Sequence, residues 1–436
     1  MSNSLQVILQ KLPEPKSDTA DWLEQLRADA LKTISSRDYP NSKEESWKYT
    51  SLHTLRKNDY VIAKKHNSGG SLKKSYSRDD FVQADKLHLV FINGFFQPDL
   101  SSDELLENGI NIRPTATKKA DEKSNLETIF KTDLAETFSA LNILTLCDSL
   151  LIEVEKNRKI EKVINLILIG ESSEPLLKSL RVIVRMHENS EARIVEEYRS
   201  HDKDIGFTNV VTNLRLGQNS TLYHHRLQSE SMDTTHIGKI DAQVDAGASL
   251  YSDSIAMGGK LTRIDIDVSL SGQGAYCRLN GLFTGINDQH IDHHTIIRHL
   301  VGDTHSDELY RGILDDNSRG VFNGKVVVSA DAQKISARQA SNNLLLSKLA
   351  EIDTKPELEI YADDVTCAHG ATVGQLDETA LFYLRSRGIG YKDARALLIY
   401  AFAEKVIEPI PLPELRKSLE NTFLGHNQMS EFIQQG

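Results

Sequence analysis

The sequence predicts a mainly β protein with helical ends. Three observations lead there. From about residue 150 to 373, short apolar or alternating runs follow one another, among them "SLLIEV", "VINLILIG", "LRVIVRMH" and "RIDIDVSL". Gly, Asn, Asp and Ser separate the runs, and only Pro175 and Pro356 fall inside the stretch. Helical periodicity is confined to the two ends. A β-sandwich, a barrel and a solenoid of stacked turns all fit such a middle. A weak repeat favours the solenoid: Gly247 and Gly274 stand 27 residues apart, Gly320 follows 46 later and Gly370 another 50.

The elements follow in order. In "TADWLEQLRADALKTI" (19–34), Leu23, Leu26, Ala30 and Ile34 share a helical face, with Thr19 placed to cap it. A loop holding Asp38, Pro40 and Asn41 leads to "SKEESWKYTSL" (42–52), where Trp47 and Tyr49 supply bulk. "LHLVFINGFFQPDLSS" (87–102) reads as two strands around an Asn93–Gly94 turn. "ETFSALNILTLC" (136–147) is the last helix before the strands begin. Within the strand region, "ASNNLLLSKLAEI" (340–352) fits a strand or a helix. Beyond it, Asp377 caps "ETALFYLRSR" and Gly388 closes it. "YKDARALLIYAFAEKVI" (391–407) is a second amphipathic helix, stopped by "EPIPLP"; "ELRKSLENTFLG" (414–425) starts a third. Three regions result: 1–149, mostly helical; 150–373, the β core; and 374–436, helical.

Composition excludes several functions. Net charge is −11 without a basic cluster to reverse it, so the chain is no electrostatic nucleic-acid binder. The most apolar runs are too short to span a bilayer, and the N-terminus does not read as a secretory signal. Cys147, Cys277 and Cys367 are far apart, which suits a reducing, cytoplasmic setting. There is no GxxxxGK[ST] phosphate loop, no GxGxxG between strand and helix, and no GxSxG elbow.

Two stretches carry ligand-type side chains. In "ADDVTCAHGATVG" (362–374), Cys367 and His369 share one strand face, with Ala368 opposite. They read as metal ligands, as a nucleophile–base pair, or as a packed cysteine beside a hydrogen-bonded histidine. A closed metal site wants about four donors, and two are here. In "NDQHIDHHTIIRH" (287–299), His290, Asp292 and His294 share one face, and His293 faces the other way with Ile291. That set reads as a metal site or as a polar face. Cys277 and Cys147 read as core residues. A metal-dependent enzyme on a β-solenoid, using CxH or HxDxH, is one function that these stretches support.

The long run "KPELEIYADDVTCAHGATVGQLDETALFYLRSRGI" (355–389) resembles the C-terminal signature of the SufB/SufD family of iron–sulfur cluster assembly scaffolds. "HIDHHT", "DELYRGILDDNSRGVFNGKVVV" and "RQASNNLLLS" resemble it too, and "EESWKYTSL" and "FINGFFQPDLSS" look like its N-terminal region. Three features favour the SufD branch. No cysteine precedes Cys147, none lies in "QASNNLLLS" (339–347), and "HGAT" (369–372) stands where SufB has "HEAT". The resemblance implies a right-handed parallel β-helix flanked by the two helical regions, and a non-catalytic scaffold. It implies pairing with SufB through the β-helix and docking of the ATPase SufC on the C-terminal helices, around Tyr383, Leu384, Arg385, Arg387 and Tyr391. It implies that His369, together with Cys367, meets a nascent cluster at the SufB interface. No cofactor held permanently is implied; iron or a transient cluster shared with SufB is, and a reduced flavin in the complex and a homodimer of the isolated chain are compatible with it.

Overall fold

A computed structural model describes residues 4–13, 20–65, 85–102, 109–115, 123–131 and 134–424. The chain opens with α1 (Ser4–Gln10), α2 (Asp21–Ile34), α3 (His53–Lys57) and a short strand, β1 (Val61–Ile62). Thr19, the expected cap of α2, lies outside the described residues. β2 (Lys86–Ile92) and β3 (Phe95–Phe96) pair antiparallel around Asn93 and Gly94. Both turn residues hold positive φ, 50° and 86°, as an Asn–Gly hairpin requires. β4 (Ile110–Pro114), α4 (Lys123–Lys131) and α5 (Thr137–Leu144) complete the N-terminal region.

Strands then follow without interruption: β5 (Asp148–Val154), β6 (Val163–Gly170), β7 (Leu176–Met186), β8 (Glu191–Ser200), β9 (Phe207–Leu216), β10 (Thr221–Ser229), β11 (Thr235–Val244) and β12 (Ser249–Ala256). After them come β13 (Leu261–Leu270), β14 (Tyr276–Gly285), β15 (His290–His299), β16 (His305–Leu314), β17 (Arg319–Val328), β18 (Ile335–Leu345), β19 (Glu351–Ile360) and β20 (Val365–Gly374). The leucine run near 344 is therefore strand. Odd-numbered strands from β5 to β19 stack in parallel as one sheet, and even-numbered strands from β6 to β20 as a second. Each turn contributes one strand to each sheet, giving a β-solenoid of about 8 turns. Of the three candidate architectures, only the solenoid has this topology.

A corner that recurs once per turn sets the coil. Asn157, Asn189, Asn219, Gly247, Gly274, Asp303 and Lys334 all hold positive φ between 56° and 75°. Asn and Asp tolerate the left-handed region better than other side chains, and Gly enters it freely. Asn189 Nδ2 donates to Asn157 Oδ1 at 2.8 Å, and Asn219 Nδ2 to Asn189 Oδ1 at 3.1 Å, so neighbouring corners are tied. Gly247 and Gly274 thus mark turns as the repeat predicts. Gly320 and Gly370 do not: they lie inside β17 and β20.

Stacking in register puts like positions over one another inside the coil. Leu214, Ala242, Val268, Ile297 and Val326 form one such column in the odd sheet. The earlier turns also hold buried charge. Glu230 lies 2.6 Å from His236, and His236 contacts Arg226, which covers the Tyr198 ring at 4.3 Å. Tyr198 and Thr212 donate to Glu196. Buried charges persist only when paired in this way.

The two outer faces are covered differently. Trp22, Leu26, Phe130, Phe138 and Leu141 of the N-terminal region pack on Leu177, Phe207 and Ile237 of the odd sheet. The N-terminal segment also enters the sheets: β2 pairs with β6, β4 with β5 and β1 with β7. Helices α6 (Glu378–Ser386), α7 (Tyr391–Ile407) and α8 (Pro413–Leu424) follow the solenoid. Ile399, Ala403 and Val406 of α7 pack on Ile255, Leu282, Ile313 and Leu344 of the even sheet. Asp377 caps α6 by accepting from the Thr379 and Ala380 amides, and Gly388 takes φ 90° just past its end. No described helix is long and apolar enough to cross a membrane.

Candidate functional site

The final turn differs from all the others. Among the described residues, β19 and β20 end their sheets, and each pairs with only one neighbour. No residue of either strand is buried, whereas the inner positions of earlier turns are. Gly370 and Gly374 have no atom within 4 Å of where a Cβ would stand. An uncovered edge presents free backbone donors and acceptors to whatever strand comes next.

Cys367 and His369 sit on this edge. They pair in register with Ala337 and Gln339 of β18, on the face that continues the solenoid interior. Two residues along a strand separates them by about 6.6 Å. Cys367 is half-buried and packs beside Ala337, Val326 and Leu358. Burial pushes its thiol up, against a backbone hydrogen bond with Ala337 that holds it down. His369 is exposed. Behind it, Gln339 Nε2 donates to Glu308 Oε2 at 2.6 Å. Burial pushes the Glu308 carboxyl up to about 7, although the Gln339 amide donates to it.

The second predicted cluster has a different fate. β15 does put His290, Asp292 and His294 on its outer face. His293 turns inward, its ring 5.3 Å from those of both Phe283 and Tyr310. The outer three are occupied by the N-terminal region. Thr50 donates to Asp292 Oδ2 at 2.5 Å and its hydroxyl lies 2.9 Å from His290 Nε2. Arg263 donates to the same Asp292 oxygen at 2.9 Å and to the Ser46 carbonyl at 2.6 Å, with its guanidinium 3.8 Å over the Trp47 ring. His294 Nε2 lies 3.0 Å from Asp292 Oδ1. Burial would raise the Asp292 carboxyl, but His294 and Arg263 hold it well below the usual carboxylate range. A cation placed here would confront the Arg263 guanidinium. The metal reading of His290, Asp292 and His294 therefore gives way to a docking network for residues 46–50. Among the described residues, no group of three or more His, Cys, Asp and Glu is arranged to hold a metal.

Cys147 and Cys277 are buried, as expected, and burial drives the Cys277 thiol far up. Two clefts, of about 750 and 550 Å³, lie on the outer faces of the two sheets, and neither is lined by Cys367 or His369. On the C-terminal helices, Tyr383 and Tyr391 are 54% and 53% exposed, and Arg385 and Arg387 are exposed beside them. Arg385 covers the Tyr391 ring at 5.7 Å and Arg387 the Tyr383 ring at 5.2 Å, while Leu384 is half-buried. Phe382, which sequence reasoning passed over, is 72% exposed in the same patch. Its place in "ALFYLR", next to Tyr383, was the available signal.

Residues 168–402 match the family described as "SUF system FeS cluster assembly, SufBD core domain", and residues 9–166 match "SufBD protein N-terminal region". The chain belongs to the SufBD family. SufBD membership assigns it to iron–sulfur cluster assembly. The iron–sulfur cluster assembly protein SufD of Escherichia coli is 32% identical over 391 residues, covering 87% of each chain. A SufBD family protein of Synechocystis is 32% identical over 406 residues, 90% of this chain and 88% of its own. The SufD of Bacillus subtilis is 25% identical over 421 residues, 91% of this chain and 92% of its own.

Proposed function

We propose that this chain is a non-catalytic, cytoplasmic scaffold of the SUF machinery, the SufD-type half of a pair with SufB. The nascent iron–sulfur cluster is its cargo. The observation that carries this reading is the placement of His369 and Cys367 on the inner face of an uncovered terminal strand. Two donors cannot close a coordination shell by themselves. A partner of the same solenoid type, set against β19 and β20, would extend both sheets and bring the missing thiolates. Ligands split between two chains leave the cluster releasable when the seam opens. The exposed Phe382, Tyr383, Arg385, Arg387 and Tyr391 suit a second partner, the ATPase SufC. That division agrees with the missing phosphate loop.

The test is His369→Ala in a complex reconstituted from this chain and its SufB- and SufC-type partners. Iron and sulfide per complex should fall several-fold while the three chains still co-purify. A normal cluster yield from the variant overturns the role of His369. Failure of the wild-type chains to associate overturns the scaffold reading itself.

A further inference from the structure

The two rungs directly beneath His369 are polar. Leu279, Glu308, Gln339 and His369 stand in register on successive strands of the even sheet. Parallel neighbours lie about 4.8 Å apart with side chains on one face. Gln339 is 3% exposed. Its Nε2 donates to Glu308 on the rung behind, which turns the amide oxygen away from Glu308. That oxygen, Oε1, is buried and has no hydrogen-bond partner among the described residues. Folded chains rarely leave a buried amide oxygen unpaired. The amide also has room made for it. A Cβ at Gly324, on the facing sheet, would come 2.3 Å from Gln339 Nε2. The side chain is thus fixed from behind and from across the coil, with one acceptor left over. The next rung carries an exposed imidazole, whose ring N–H is a donor. A ligating imidazole ordinarily gives its second ring N–H to a carbonyl or carboxylate.

We infer that Gln339 is a positioning residue for His369: the two are not hydrogen-bonded in this structure, but a rotation of the exposed His369 ring lets the unpaired amide oxygen accept its ring N–H, which fixes the tautomer and leaves the opposite nitrogen as the free donor. Glu308 acts through Gln339 by holding the amide nitrogen. The inference rests on the reading of His369 as a cluster donor, yet its direct readout is independent of any cluster.

The experiment uses the full-length chain labelled with ¹⁵N-histidine. The ring signals of His369 are identified by their loss in His369→Ala. At a pH where the ring is neutral, long-range ¹H–¹⁵N spectra should show one dominant tautomer in the wild type. Gln339→Leu should shift the tautomer ratio several-fold. Gly324→Ala, which displaces the amide without touching His369, should shift it the same way. An unchanged ratio in Gln339→Leu overturns the proposal. Should neither variant fold, the wild-type ratio is set against that of an unstructured peptide spanning 362–374: a ratio displaced several-fold from the peptide's upholds the proposal, and an equal ratio overturns it. A cluster yield unaffected by His369→Ala would overturn the role of His369 as a cluster donor and leave the tautomer result standing, so the two failures are distinguishable.

Discussion

Thr50 donates a 2.5 Å hydrogen bond to Asp292 across 242 positions of the chain. It joins "EESWKYTSL" to "HIDHHT", and so fastens the N-terminal region to the outside of the odd sheet. Arg263, 2% exposed, is held between the same carboxylate, Asp265 and the Ser46 carbonyl. Asp292→Ala leaves that guanidinium buried with half its counter-charge. The expected loss is roughly 2–4 kcal/mol in denaturant unfolding. Thr50→Ala removes one hydrogen bond and should cost about 1–2 kcal/mol. Equal, negligible losses from both would mean that this contact does not hold the region in place.

Glu308 makes stability depend on pH in an uncommon direction. Its carboxyl is raised to about 7 from an unfolded value of 4.5. Its contribution is therefore complete below pH 4.5 and is lost as pH rises through 7. Glu308→Gln should raise the unfolding free energy at pH 8 by a few kcal/mol and change it little at pH 4.5. A stability gain of the same size at both pH values would contradict a buried neutral acid.

The interior of the earlier turns works the other way. Burial would raise Glu196 and Glu230, but His224 and Arg226 hold the first at about 2, and His236 and Lys178 hold the second there. Depressed carboxyls stabilise fully above the unfolded value of 4.5 and lose that contribution as pH falls toward 2. Stability should drop steeply across that window. Glu230→Gln should be less stable at pH 7 and show a shallower acid limb. Equilibrium unfolding at half-unit pH steps would reveal it.

Asn189 tests the corners. Its φ is 56° and its amide donates to Asn157. Asn189→Gly keeps the backbone conformation and loses the side-chain bonds to Asn157 and from Asn219. Asn189→Ala loses both, and should be about 1 kcal/mol less stable than the Gly variant. If the two variants unfold at the same denaturant concentration, left-handed tolerance is not what that corner requires.

Much of the fold is legible in the sequence because strand runs and their turn residues are local signals. The Asn93–Gly94 hairpin, the Asp377 cap and the shared face of His290, Asp292 and His294 all follow from spacing alone. The repeat is harder to see because its marker is a backbone conformation that Asn157, Gly247, Asp303 and Lys334 satisfy with different side chains. A search for glycine alone finds Gly247 and Gly274 and is misled by Gly320 and Gly370. What covers Asp292 is not legible either, because Thr50 and Arg263 reach it through tertiary folding. The position of Cys367 and His369 is legible as a shared face. That this face belongs to the last strand of the coil, with no further described strand against it, depends on where the coil stops.

The two ends of this coil are unlike. At the β5–β6 end, antiparallel β4, two-residue β3 and Pro114 interrupt further parallel addition; at the other end β19 and β20 offer ten residues each. A rod that is adhesive at one tip only can join another rod tip to tip, and the product then has no adhesive tip left. Growth halts at two molecules, so the same geometry that exposes a sticky edge also forbids a fibre.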